Sequence, residues 1–230
     1  MIDDFRQGNI DGNYLYSNMT IGRARSNNRS EIEDQYSILS QMIEEISFQF
    51  KERLEKIDHM AREDADELSE GEFEIYSSVT NSYSHELERS ESMYLQARQI
   101  LFCSIYAYYE AMLNRIIDYH EVHVNHRDLQ DAKSMVNRIR EEYKTRTKKV
   151  IPLENEEFAN DYCRLLRNHF MHGVLLDAKK RLRLKELVNK YGGIKYDMNS
   201  YAEITDHLFL KKVSSYIYKI LLDIDDAFSL

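Results

Sequence analysis

The sequence predicts an all-α protein, and three observations carry that reading. One proline and seven glycines in 230 residues leave few helix breakers. Glu, Leu, Ile, Lys, Arg and Tyr are abundant. Apolar residues recur at spacings of three and four, the period of a helix with one buried side. A chain of this length can bury a sizeable core as one helical domain. The expected organisation is an irregular N-terminal arm over residues 1–29 and one domain over 30–230. Within that domain, the first long helix (30–66) is a candidate extension and 84–230 the core.

The arm is polar, with Gly8, Gly12 and Gly22 and the run Ser26-Asn27-Asn28-Arg29. Ser30 and Glu33 form a capping-box pattern that predicts the start of the first helix. Its apolar positions Ile32, Tyr36, Leu39, Ile43, Ile46, Phe50, Leu54 and Ile57 make a heptad-like seam. The seam has two readings: it packs on its own bundle, or it meets a second copy or a partner protein. The acidic tract from Arg62 to Glu74, containing Ser69-Glu70-Gly71, is expected to break the helix.

A second long helix is predicted from about Ser84 to His120. Its centre, Ile100 to Ile117, is apolar on nearly all sides, as in the buried spine of a bundle. Glu110 and Arg115 make it unsuited to span a membrane. A carboxylate in such a helix is costly unless paired. Glu110 has candidate partners in Tyr106 and Arg115 on its own helix, and in Arg164 and Arg167 further on. His120, His123 and His126 follow at spacings of three, but no Cys or carboxylate completes an evident metal set.

A shorter amphipathic helix is predicted over Arg127–Tyr143, then a basic connector Lys144-Thr145-Arg146-Thr147-Lys148-Lys149 ending at Pro152. After the stretch described next comes a second basic segment, Lys179-Lys180-Arg181-Leu182-Arg183. Gly192-Gly193 marks a loop, and Ser200 with Glu203 reads as a capping box opening a last apolar helix from Ile204 to Phe228.

The chemistry concentrates in Cys163-Arg164-Leu165-Leu166-Arg167-Asn168-His169-Phe170-Met171-His172-Gly173. On a helical wheel of about 100° per residue, Phe158, Tyr162, Cys163, Leu165, Leu166 and Phe170 share one apolar side, with His169 in its middle. Glu157, Arg164, Arg167, Asn168 and His172 take the other. His172 lies one turn beyond Asn168, where side chains four apart meet. Gly173 is the residue type expected just past a helix end. An imidazole whose tautomer an amide can fix suits proton transfer near neutral pH. An Arg fork suits phosphate oxygens.

The run Arg167, a polar residue, three more positions, His172 and Gly173 resembles the signature of HEPN domains. The tract Ile105-Tyr106-Ala107-Tyr108-Tyr109-Glu110-Ala111-Met112-Leu113 resembles the aromatic, Glu-bearing helix of one prokaryotic HEPN-like nuclease branch. The resemblance is specific over about ten residues and extends loosely over 90–230. It implies a HEPN-like helical bundle, a homodimer whose two motif helices line one cleft, and metal-independent endoribonuclease activity without a cofactor. The implied products carry 2′,3′-cyclic phosphate and 5′-OH ends. The implied setting is a toxin or phage-defence effector, with an antitoxin or regulatory protein as a candidate partner. Arg167, His172 and Asn168 take the catalytic roles, with Glu110 and Arg164 in support. Some family members carry, two residues past the His, a Tyr that a partner nucleotidyltransferase modifies; Val174 stands there in this chain. The alternative is a non-catalytic HEPN-like module that binds a partner protein or a nucleotide.

A net charge of −9 argues at first against nucleic acid, but its distribution reverses that. From Lys133 to Lys195 there are 16 Lys/Arg and 8 Asp/Glu; the remainder holds 15 and 32. The basic half surrounds the motif, so Lys144, Arg146, Lys148, Lys149, Lys179, Lys180 and Arg181 are the candidate RNA-binding residues. Cys103 and Cys163 sit in apolar tracts, which suits buried thiols in a reducing compartment. Met1-Ile2-Asp3-Asp4 opens without an apolar signal core, so a soluble cytoplasmic protein is expected. Cys163 on the apolar side leaves Cys-His hydrolysis without local support.

Overall fold

A computed structural model of the protein describes residues 28–69, 72–123, 131–172, 177–197 and 201–229. The all-α expectation holds: the described chain is helical but for one short hairpin. In order, the elements are α1 (Asn28–Ser69), α2 (Phe73–Ser82), α3 (Ser84–Tyr119), α4 (Ala132–Thr147), a π-helical segment (Phe158–Cys163), α5 (Arg164–His172), α6 (Ala178–Tyr191), β1 (Ile194–Asp197), β2 (Tyr201–Ile204) and α7 (His207–Ser229). Among the described residues no helix is long and apolar enough to cross a membrane.

The spine is α3. Leu101, Phe102, Ile105, Tyr106, Tyr109, Met112, Leu113, Ile116 and Ile117 are all buried along it. Those positions cover more than one side of the helix, so packing partners are needed around most of its girth. α1, α4, α5 and α7 supply them. α7 buries Phe209, Leu210, Val213, Ile217, Ile220, Leu221 and Ile224, and its ring at Phe209 stacks toward Phe102 at 6.1 Å between centroids.

The seam of α1 faces its own chain. Ile32 and Ile43 are buried in the main core, Tyr36 stacks on Tyr218 of α7 at 4.2 Å, and Phe50 stacks on Tyr94 of α3 at 4.8 Å. The break expected within 62–74 is found there: α1 ends at Ser69 and α2 begins at Phe73. Ala61 and Ala65 are buried, and the Arg62–Asp58 and His59–Glu63 pairs at one-turn spacing support the helix through the acidic tract. Ser30 lies inside α1, so it is not the cap; Glu33 receives the Arg29 guanidinium at 3.1 Å. Residues 1–27 of the expected arm lie outside the described residues, and Asn28 and Arg29 are already helical.

Three further expectations need correction. The first part of the helix assigned to Arg127–Tyr143 lies partly outside the described residues; α4 begins at Ala132, where Asp131 and Ser134 form a reciprocal capping box. It ends at Thr147, so Lys144 and Arg146 belong to its last turn and not to a connector. Basic side chains complement the carbonyl end of a helix, which favours that extension. Lys148 then stops the helix in the left-handed region at φ 60°. Ser200 lies outside the described residues, and Glu203 is in β2 opposite Lys195, not in a helix. The cap of α7 is Asp206, whose carboxylate accepts the Phe209 N–H at 3.0 Å.

The hairpin is held onto α3 by Arg98. Its Nη1 donates to the carbonyls of Ile204 (3.1 Å) and Thr205 (2.8 Å), and its guanidinium stacks 3.8 Å from the centre of the Tyr94 ring. Gly193, at φ +82°, opens the hairpin with its Cα against the Phe209 ring. A Cβ there would overlap that ring and strain the backbone. Gly193→Ala is therefore expected to cost roughly 2–4 kcal/mol, combining left-handed strain with overpacking. Urea denaturation of the variant beside the parent chain checks this; an unchanged midpoint would mean the turn is not anchored as described.

Candidate functional site

The site is built where α5 crosses the spine. The segment leading into α5 is not α-helical throughout: Phe158–Cys163 forms π-type turns. Phe158, Ala159, Asn160, Tyr162 and Cys163 are all buried there. Phe158 sits among the rings of Tyr162, Tyr191, Phe209 and Tyr216, with centroids 5.0–6.1 Å away. A widened turn leaves carbonyls needing other donors. The Arg164 side chain meets one of them, its Nε donating to the Asn160 carbonyl at 3.0 Å. The Asn160 side-chain oxygen accepts the buried Tyr109 hydroxyl of α3 at 3.1 Å.

The two-sided pattern of α5 survives this irregularity. Leu165 and Leu166 are buried, Phe170 packs on Phe102 edge-on at 5.6 Å, and Arg164, Arg167 and Asn168 are half-buried on the other side. His169 is half-buried beside Phe170, and desolvation lowers its pKa, which favours a neutral imidazole. His172 is the last helical residue of α5; its side chain, and Gly173 and Val174, lie outside the described residues.

Glu110 resolves among its open partners. Arg115 pairs with Glu31 of α1, so it is committed elsewhere. Glu110 lies 3.6 Å from the Arg167 guanidinium and accepts the Ala132 N–H at the start of α4. Burial raises its pKa and the neighbouring Asp131 adds to that, while Arg167 opposes both. Arg167 also donates to the Asn168 side-chain oxygen at 3.2 Å. Its fork is thus held from two sides, by α3 and by its own helix.

Arg164 goes instead to Asp131 at 3.3 Å. Asp131 was not singled out from the sequence. It caps α4 through Ser134 with one oxygen and meets Arg164 with the other, so it ties the start of α4 to α5. The Asp-x-x-Ser spacing is a legible cap signal, but nothing in it names Arg164. Cys103 of α3 is near enough for Arg167 to oppose the effect of burial, which still pushes the thiol up to about 11. Cys163 is buried with its pKa well above the ordinary thiol value, and it is not a nucleophile.

The basic residues divide sharply. Lys144, Lys149 and Lys179 are exposed and make no ion pair among the described residues. Arg146 is engaged in holding helix ends together: it donates to the carbonyls of His120 (3.0 Å) and Glu121 (2.8 Å) and to Glu142 (2.8 Å). Lys148 turns back to the Thr145 carbonyl at 3.1 Å. Lys180 meets Asp177, the cap of α6, at 3.2 Å, and Arg181 is half-buried. Behind them, Lys190, Tyr191 and Arg183 converge on Glu157 and hold its carboxyl down to about 2. Arg183 also lies 3.9 Å from Asp161, which Lys133 pairs at 2.7 Å.

At the far end of α3, His120 lies 3.3 Å from the buried Asp225, which also accepts from Asn28 at 3.2 Å. His126 lies outside the described residues. Among the described residues no group of three or more His, Cys, Asp and Glu is arranged to hold a metal ion.

Comparison of the chain with protein-family models, curated proteins and solved structures returned no match.

The raised pKa of Glu110 has a consequence with a definite sign. Above its unfolded-state value, ionisation is easier in the unfolded chain than in the folded one. Its contribution to stability is therefore full at low pH and is lost as pH rises through the folded-state value. The stability of the parent chain minus that of Glu110→Gln should fall as pH rises from below the ordinary glutamate range to above it. Urea midpoints of both proteins across that range measure it; a difference that rises with pH would contradict the burial of Glu110.

Proposed function

We propose that the chain is a HEPN-like endoribonuclease that cuts RNA by attack of the 2′-OH on the adjacent phosphate. The observation that carries this reading is the clamped Arg167: a half-buried guanidinium, fixed between Glu110 and Asn168, on the same short helix as His172. A fork preorganised in this way matches the non-bridging oxygens of a phosphate whose charge grows in the transition state. Such an electrostatic group is often the largest single contribution to a rate.

His172 is assigned the proton transfer, taking the 2′ proton or delivering one to the leaving 5′ oxygen. The half-buried His169 is the weaker candidate, because desolvation disfavours its charged form. Base and acid roles need two imidazoles, and a two-fold dimer that brings two copies of α5 together supplies them. Of the candidate basic residues, Lys144, Lys149 and Lys179 are the ones left available to meet a phosphate backbone. Arg146, Lys148 and Lys180 make contacts within the chain and contribute charge only at longer range. Asn168 orients Arg167, and Arg164 acts indirectly by fixing the turn before α5.

The test is cleavage of a labelled RNA in EDTA. Arg167→Ala and His172→Ala are each expected to lower the rate by about 10²-fold or more, with the helical circular dichroism unchanged. Products should carry 2′,3′-cyclic phosphate and 5′-OH ends. Cleavage that needs added metal, or that survives both substitutions, would reject the mechanism.

A further inference from the structure

α1 is 42 residues long, about 63 Å at 1.5 Å per residue. Only its first half lies along α7, through Tyr36 on Tyr218 and the Lys211–Glu44 pair. Beyond that, α1 runs with α2 and the start of α3 as a helical stalk. Ile57, Ala61, Ala65 and Ser90 are buried in it, apart from the main core.

The end of this stalk is unlike an ordinary solvated helix tip. α2 buries none of its residues, although it carries Phe73, Ile75, Tyr76 and Val79. Phe73 is 81% exposed and Leu68 62%. Between α1, α2 and the start of α3 lies an open groove lined by Asp64, Leu68, Val79, Tyr83 and Glu86. The rim is acidic: from Lys51 to Glu91 the sequence has 13 Asp/Glu and 5 Lys/Arg. Asp66, Glu67, Glu72 and Glu74 make no ion pair among the described residues.

An apolar patch ringed by unpaired carboxylates suits a surface that is itself apolar and basic. The same chain carries basic residues beside exposed apolar ones. Lys149 adjoins Val150, which is 58% exposed, and Lys179 lies one turn from Leu182, which is 55% exposed. We propose that the stalk end docks on the basic half of a second copy of this chain, Leu68 and Phe73 meeting its exposed apolar residues and the acidic rim meeting Lys144, Lys149 and Lys179. This contact shares Lys144, Lys149 and Lys179 with the surface proposed to meet RNA, but it involves neither Arg167 nor His172, and association is measured without RNA.

Sedimentation velocity on the full chain tests it, from about 50 mM to about 500 mM NaCl. Association should weaken with salt. Either the set Glu67→Lys, Glu72→Lys, Glu74→Lys or the set Lys144→Glu, Lys149→Glu, Lys179→Glu should weaken it about tenfold or more. Mixing the two sets should restore it, because each supplies the charge the other now lacks. Phe73→Ser should weaken it without changing its salt dependence. A monomer at every salt and concentration would overturn the proposal. So would association that ignores both charge reversals, which would assign the contact to another face.

Discussion

Glu110 is a carboxylate set into a helix that the core encloses, and it has to be matched by a cation and a donor brought from elsewhere. α3 buries apolar residues on either side of it, from Tyr106 and Tyr109 to Met112 and Leu113. Water is largely excluded, so the charge is costly unless the fold answers it. α5 answers with Arg167 and α4 with the N–H of Ala132. Three helices that are distant in sequence are thereby fixed at one point, and that point is where the arginine of the motif stands.

The approach of α5 depends on the π-type turns before it. An α-helix over the whole of 157–172 would match its backbone carbonyls within the helix up to the last turn. The widened turns instead place Asn160 between Tyr109 and Arg164, and Arg164 between Asn160 and Asp131. The burial of Phe158 and Tyr162 in a cluster of rings compensates for the poorer hydrogen-bond geometry. Polar side chains that look interchangeable on a wheel therefore do separate work: Arg164 fixes the turn and Arg167 remains aimed at the site.

Net charge overstates how much of the basic half is available to a ligand. Lys133, Arg183 and Lys190 are matched to Asp161 and Glu157, and Arg140 to Glu156 at 2.7 Å. Arg146 is drawn to the carbonyl end of α3. Among the described residues of that half, Lys144, Lys149, Lys179, Lys185 and Lys195 are exposed and make no ion pair. An anionic partner would therefore meet a few separate charges, and salt would screen them.

The helical class, the extent of α3, the two-sided character of α5 and the buried thiol of Cys163 were all set by periodicity and composition. Apolar spacing is a local property, and burial of one side follows from it wherever the helix packs. The short helix α2, the extended end of α4 and the hairpin in place of a cap at Glu203 were decided by tertiary contacts. Buried Ala65 carries α1 through its acidic tract, and Arg98 holds β2 on α3; neither partner is near in sequence. Glu110 shows the division most clearly. The sequence by itself made it an ionisable residue that required a partner, with four candidates. Only the packing of α5 on α3 chose Arg167, because the choice is a distance across space.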